Sequence, residues 1–251
     1  MSTRIYAAGT GRILRQLRAD RRTVAMILLV PSLLMVLLYF LYANVPTPAG
    51  QQSLFDRIAI AMLGILPFVV MFLITSIAMQ RERTSGTLER LLTTPMSKLE
   101  LLASYGSAFS VAALGQALLA CAVAFGALGL TTTGPVVWVL VSAVLVAMLG
   151  VSIGLLCSAF AKTEFQAVQF MPLVVLPQFF LCGLLVPRDQ MPDWLHIISN
   201  FLPLTYAVDA LQEVSLHTGV TGRMGADIAV VVGFTVLALC AGAATLRRRT
   251  P

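Results

Sequence analysis

Residues 101–161 read LLASYGSAFSVAALGQALLACAVAFGALGLTTTGPVVWVLVSAVLVAMLGVSIGLLCSAFA, an unbroken run without one charged side chain. A bilayer helix needs about 20 apolar residues, so this run holds two crossings and the TTTGP turn between them. Four further stretches, 24–55, 58–80, 165–187 and 228–246, are equally free of charge. Of the 251 residues, 58% are hydrophobic and 11% charged, against roughly 25% charged in a soluble domain. The chain therefore reads as an all-α polytopic membrane protein, since a strand pattern would alternate in polarity and this one does not. A soluble enzyme, a disordered chain and a disulfide-stapled secreted domain are excluded.

Six spans follow at 24–43, 58–79, 101–130, 136–160, 166–186 and 226–246, within one transmembrane domain covering 1–251. The first run is longer than a signal-peptide core, has no convincing cleavage site, and is expected to be retained. Pro31, Pro67, Pro172 and Pro177 fall inside spans, where a lost hydrogen bond is tolerated as a kink. The net charge of +6 would suit a nucleic-acid binder if it were clustered on a soluble surface, but position argues otherwise. Fourteen of the 17 basic residues lie before span one, after span two, after span four or in the tail, and only Arg57, Arg188 and Arg223 lie on the other side. The excess of positive charge places both termini in the cytoplasm, as an even number of spans requires.

Residues 1–23 form a basic segment in which Ile13, Leu14 and Leu17 can share one helix face, with a start expected after Gly9 and Gly11. Such a segment suits the headgroup interface, or serves only to set topology. The cytoplasmic segment 80–100 carries Leu88, Leu91 and Leu92 at i, i+3, i+4, ends its helix at Pro95, and offers a capping box at Ser97 and Glu100. Two turns cannot bury three leucines unaided, so the segment is either a docking element or a solvated connector. The outer segment 187–225 is cut by Pro187, Pro192 and Pro203; Asp193 is expected to cap a short apolar helix, and Trp194 suits the interface.

No phosphate loop or glycine-rich nucleotide fingerprint is present, and the four cysteines and two histidines lack metal-ligand spacing. The chain is expected to bind no metal or cofactor and to perform no catalysis. The polar residues inside or bordering the spans are neutral: Thr75, Ser76, Gln116, Gln166, Gln169 and Gln178, and no acid lies near a span centre. Ion-driven pumps place acids there, so energy must enter through a partner. Small-residue ladders at Gly150, Gly154, Ser158 and at Ser104, Ala108, Ala112 allow close helix approach, within the chain or between two chains.

Segment 81–102, RERTSGTLERLLTTPMSKLELL, resembles the E-R-E-x-G-T-L-E-x-L-x-x-T-P stretch of type-2 ATP-binding-cassette permeases, with Arg81 where many members carry Glu and Glu82 directly after. Segment 187–211, PRDQMPDWLHIISNFLPLTYAVDAL, is similar to that family's second motif, and the resemblance covers the whole chain. It is nearest to the permeases of bacterial drug-resistance exporters of the daunorubicin type. The resemblance implies that the 81–95 helix couples to a separate cytoplasmic ATPase, which uses ATP and magnesium, through Glu82, Arg83, Gly86, Thr87, Leu88, Glu89, Arg90 and Leu91. Residues 10–22 would lie along the inner leaflet as a connecting helix. Two chains would pair, as a homodimer or with a sister permease, around a path carrying Phe68, Phe72, Thr75, Gln169, Phe179 and Phe180. Pro192, Trp194, Pro203, Tyr206 and Asp209 would form the outer gate. The implied function is export of a hydrophobic or amphipathic drug or lipid across a bacterial cytoplasmic membrane. Two other classes also fit the residues: an intramembrane lipid-modifying enzyme built on Tyr206, Asp209 and Glu213, or an ATP-independent carrier or channel.

Overall fold

The computed structural model describes residues 3–46, 52–93 and 96–245, apart from the side chains of Glu89 and Leu92. Pro95 and the basic run 247–249 lie outside the described residues. Among the described residues ten α-helices follow in order: α1 (Thr3–Ala19), α2 (Arg21–Tyr42), α3 (Leu54–Thr84), α4 (Thr87–Leu92), α5 (Lys98–Cys121), α6 (Val136–Cys157), α7 (Glu164–Leu181), α8 (Asp193–Ser199), α9 (Pro203–Leu216) and α10 (Gly222–Thr245). No strand occurs among the described residues. Six of the helices are long and apolar enough to cross a membrane: α2, α3, α5 with its continuation to Ala127, α6, α7 and α10. In lipid only an element that satisfies its own backbone can cross, which is why each uncharged run becomes a helix.

The second span differs most from the sequence expectation of 58–79. It begins at Leu54, where Ser53 accepts the Asp56 amide at 2.9 Å, and continues through Arg81, Glu82 and Arg83 to Thr84. Its 31 residues extend about 46 Å at 1.5 Å per residue, beyond the roughly 30 Å hydrocarbon layer. The charged last turn stays helical because Arg81 and Glu82 both find partners on neighbouring helices. The 81–95 helix expected from sequence is thus split. Residues 81–84 complete α3, Gly86 turns at φ 72°, and α4 covers only Thr87–Leu92. The third span ends in a π-helical turn, Ala122–Ala127, instead of running regularly to 130.

The N-terminal helix also departs from expectation. It starts at Thr3 and runs through Gly9 and Gly11. Gly9 is a packing position: a Cβ there would lie 2.9 Å from Ser104 Oγ of α5. Asp20 breaks α1 from α2 and caps the latter, accepting the Thr23 hydroxyl at 2.7 Å and its amide at 3.1 Å. Those bonds hold the Asp20 carboxyl below its ordinary range. Asp193, expected to cap α8, instead occupies its first turn; Pro192 is the capping position and no side-chain cap bond forms.

The core is built around α3, whose Phe68, Met71, Phe72, Thr75 and Ser76 are all fully buried. Helix α6 presses against it through two glycines. A Cβ on Gly150 would lie 2.4 Å from the Phe68 carbonyl oxygen, and one on Gly154 2.2 Å from Thr75 Oγ1 and 2.5 Å from the Phe72 oxygen. The small-residue ladder of α6 therefore serves packing inside the chain. By contrast α2 and α7 expose apolar side chains, among them Leu33, Leu37 and Phe40 on the first and Phe165, Leu173 and Phe180 on the second. Of the cysteines, Cys121 and Cys182 are buried, Cys157 half-buried and Cys240 exposed, so only some act as core residues.

The α3–α6 seam makes a direct prediction. Gly150→Ala forces a methyl into backbone and is expected to cost about 1–3 kcal/mol. Gly225→Ala, whose Cβ would meet no other side chain or neighbouring helix within 4 Å, is expected to be neutral or stabilising by up to about 1 kcal/mol. Thermal unfolding of the purified protein in detergent separates the two.

Candidate functional site

One end of the bundle gathers α1, the start of α2, the end of α3, α4, the start of α5 and the start of α7. Ile13 of α1 is buried, and Ile5, Leu14 and Leu17 pack beside it, so the amphipathic face seen in sequence covers the core formed by α3 and α5. The Tyr6 and Ser107 hydroxyls are hydrogen-bonded, tying α1 to α5. At the centre lies Glu82, 7% exposed. Arg12 reaches it at 3.5 Å and donates to the Tyr105 hydroxyl at 2.8 Å. A buried carboxylate needs a charge or donors beside it, and here Arg12 of α1 supplies the charge while Tyr105 of α5 holds that arginine in place; Glu82 Oε2 itself has no hydrogen-bond partner. One residue earlier, Arg81 clasps Glu164 of α7 through two hydrogen bonds of 3.0 Å. Both side chains are largely exposed, so this pair contributes little to stability but fixes geometry through its bidentate form.

The motif residues expected to couple to an ATPase occupy this same end. Arg83 is half-buried, with its Nε lacking a partner. Gly86 holds a positive φ with no atom within 4 Å of its Cβ position. Its need for glycine is conformational within this chain, since an L-residue there costs about 1–2 kcal/mol. The Thr87 hydroxyl bonds that of Ser85 at 2.9 Å, and Leu88 is buried in the core. Leu91 packs against the same core, while Arg90 faces outward. The Glu89 side chain lies outside the described residues. After α4 the capping box forms as its spacing predicts: Glu100 N donates to Ser97 Oγ at 3.1 Å and Ser97 N to Glu100 Oε2 at 2.8 Å. A cavity of about 610 Å³ opens between α1, α3 and α5, edged by Arg12, Leu17, Glu82 and Phe109.

The six path candidates are not brought together. Phe68, Phe72 and Thr75 face α6 with no exposed surface, because Gly150 and Gly154 allow that helix onto them. Gln169 and Phe180 are exposed on α7, and Phe179 stacks edge-on against Phe180 with centroids 5.8 Å apart.

At the opposite end the outer-gate candidates fall into two groups. Pro192 and Trp194 are exposed on α8. Pro203 opens α9 and is buried, whereas Tyr206 and Asp209 join a polar cluster. Arg188 donates to Asp209 at 2.8 Å and to the Asn200 side chain, and the Tyr206 hydroxyl donates to the Asn200 carbonyl at 2.7 Å. Arg223 also reaches Asp209, at 3.5 Å.

A family model described as ABC-2 type transporter matches residues 3–216. The chain belongs to the ABC-2 type transporter family. Its relatives include ABC transporter G family member 20 of Dictyostelium discoideum, 26% identical over 68% of this chain and 24% of that protein. The probable multidrug ABC transporter permease YbhR of Escherichia coli K12 is 24% identical over 62% of this chain and 42% of its own length. The linearmycin resistance permease protein LnrN of Bacillus subtilis is 30% identical over 66% and 43% respectively. The matched segments span less than half the length of each of these relatives.

Sequence reasoning placed Glu82 in this ABC-2 type chain's coupling segment but missed its partners Arg12 and Tyr105, which lie 70 and 23 residues away. It also missed Arg81–Glu164, although both residues border spans on one side. That shared level was the available signal. The clasp around Glu82 is expected to show strong coupling. Arg12→Met should destabilise the protein by about 1–3 kcal/mol by leaving a buried carboxylate short of donors. Glu82→Gln should cost less, and the double variant should recover most of the loss in a thermal-unfolding cycle.

Proposed function

We propose that this chain is the membrane-spanning subunit of an ATP-driven exporter of hydrophobic or amphipathic molecules, drug or lipid. Its energy comes from a separate cytoplasmic ATPase that holds ATP and magnesium and docks on Thr87–Leu92. The observation that carries this reading is the mounting of α4. It has one face in the core through Leu88 and another free at Arg90, and a single turn at Gly86 joins it to α3. A push on α4 passes into a helix that crosses the whole membrane. Family membership supports a membrane subunit of this kind, and the names of YbhR and LnrN support a drug-like cargo. The uncharged mid-span interior favours an external energy source over an ion gradient.

The basic end faces the cytoplasm of a bacterial cell in this reading, with both termini inside, following the bias of Lys and Arg. The whole chain acts as one permease domain. A second copy, or a sister permease, completes the path, and the exposed apolar faces of α2 and α7 are where it and the lipid meet this chain. Pro192, Trp194, Pro203, Tyr206 and Asp209 close the outer end. The enzyme alternative loses support because its three candidate residues are engaged elsewhere: Tyr206 with Asn200, Asp209 with two arginines and Glu213 with the Thr221 hydroxyl at 2.9 Å.

The test is ATPase coupling. Gly86→Val strains the turn above α4 without touching the spans. Substrate-stimulated ATP hydrolysis by the purified complex is expected to fall to the unstimulated rate, while membrane insertion and complex assembly persist. Full stimulation in that variant overturns the docking role.

A further inference from the structure

Three basic residues stand apart from the other fourteen in sequence: Arg57, Arg188 and Arg223. They arise from three separate elements, the first turn of α3, the turn before α8 and the first turn of α10. In the fold all three line one cavity of about 380 Å³ at the end opposite α1, together with Asp189, His196 and Asp209. The pairing of the three arginines is incomplete. Arg188 is taken by Asp209 and Asn200, with its Nε left unpartnered. Arg223 shares the already engaged Asp209 at 3.5 Å and reaches Glu213 only at 4.0 Å. Arg57 has no ion pair among the described residues, and the adjacent Asp56 is turned away to the Thr131 hydroxyl at 2.8 Å. Three guanidinium groups and two carboxylates, Asp189 and Asp209, thus line the cavity, with Glu213 and Asp227 close behind Arg223. Arg57, with no ion pair among the described residues, has the most capacity to spare, and Arg223 has only weak, long contacts.

The surroundings of the cavity are apolar and exposed. His196 sits on its wall, and the same helix presents Trp194 and Ile197 outward, with Phe201 just beyond; Leu185 and Val186 precede the lining residue Pro187 and are also exposed. A polar cavity with such a border suits a molecule with an anionic head and an apolar tail. Guanidinium groups bind phosphate through paired hydrogen bonds, and basic pockets between membrane helices hold anionic headgroups. We infer that this cavity binds the phosphate group of an anionic amphiphile, with Arg57 and Arg223 as its ligands and Arg188 as the fixed strut that positions the wall. In the orientation proposed above the amphiphile belongs to the outer leaflet. The site itself does not depend on the ATP-coupled reading, because it is complete in the isolated chain.

The chain contains two tryptophans, so Trp138→Phe leaves Trp194 on α8 as the only reporter. That protein, purified in phosphate-free maltoside detergent, is titrated with dihexanoylphosphatidylglycerol, with dihexanoylglycerol and with inorganic phosphate. Trp194 emission and native mass spectrometry serve as two readouts. The phospholipid is expected to bind saturably, inorganic phosphate more weakly, and the uncharged diacylglycerol not at all. The double change Arg57→Gln with Arg223→Gln is expected to raise the phospholipid Kd about tenfold or more, from the loss of two charge-assisted bonds, with the unfolding midpoint unchanged. Inorganic phosphate binding as tightly as the phospholipid still supports a phosphate site and assigns it to a soluble anion. Equal binding of the diacylglycerol, an unchanged Kd in the double variant, or no binding by either readout overturns the inference.

Discussion

The contact of α3 with α6 through Gly150 and Gly154 is the constraint on which the rest depends. Without side chains at those positions, α6 lies against the backbone of Phe68 and Phe72, and α3 becomes the fixed axis of the bundle. A helix held in this way along its middle can extend beyond the hydrocarbon layer as a single rod. That extension brings Arg81 to α7 and Glu82 to Arg12 of α1 beside α5, and it leaves α4 suspended from its end by Gly86. Burial of apolar side chains cannot by itself hold helices together in lipid, where the surroundings are equally apolar. Close packing at small residues and polar contacts at the ends must do so.

The charged contacts fall at the two ends. At the basic end Arg12, Tyr105 and Glu82 join three helices, and Arg81 with Glu164 joins a fourth. At the other end Arg188, Asp209 and Arg223 connect the turn before α8 with α9 and α10. Between them the interior is neutral, and residues such as Gln116 are buried with neither amide atom bonded. Such a molecule is stiff in its seam and tied at its ends, which suits a part that moves as a unit when something outside it does the work.

Most of the span plan was legible in the sequence because the bilayer imposes a length and a polarity that a charge-free run cannot hide. The capping box at Ser97 and Glu100 was legible for a similar reason, since its geometry is local. What escaped depends on distance along the chain. Gly9 and Gly11 looked like a helix boundary by propensity, and only the nearness of Ser104 reveals that Gly9 is a packing contact. The family resemblance places Phe68, Phe72 and Thr75 along the path, yet in this chain the glycines of α6 enclose them. The run after span two was expected to form a helix of its own. Its first turn belongs to α3 because Arg81 and Glu82 found partners that the sequence does not name. Asp209 was expected at an outer gate, but its pairing with Arg188 and the gathering of three distant arginines around it needed the fold.

If α4 is the surface through which a separate ATPase drives this chain, a photo-crosslinking amino acid placed at Arg90, the outward position of α4, will capture that ATPase in cells expressing the protein. The expected product is a covalent adduct with a cytoplasmic protein that carries a nucleotide-binding phosphate loop, with a yield that changes when ATP is depleted. Adducts with lipid alone, or with proteins that bind no nucleotide, would rule out α4 as that surface.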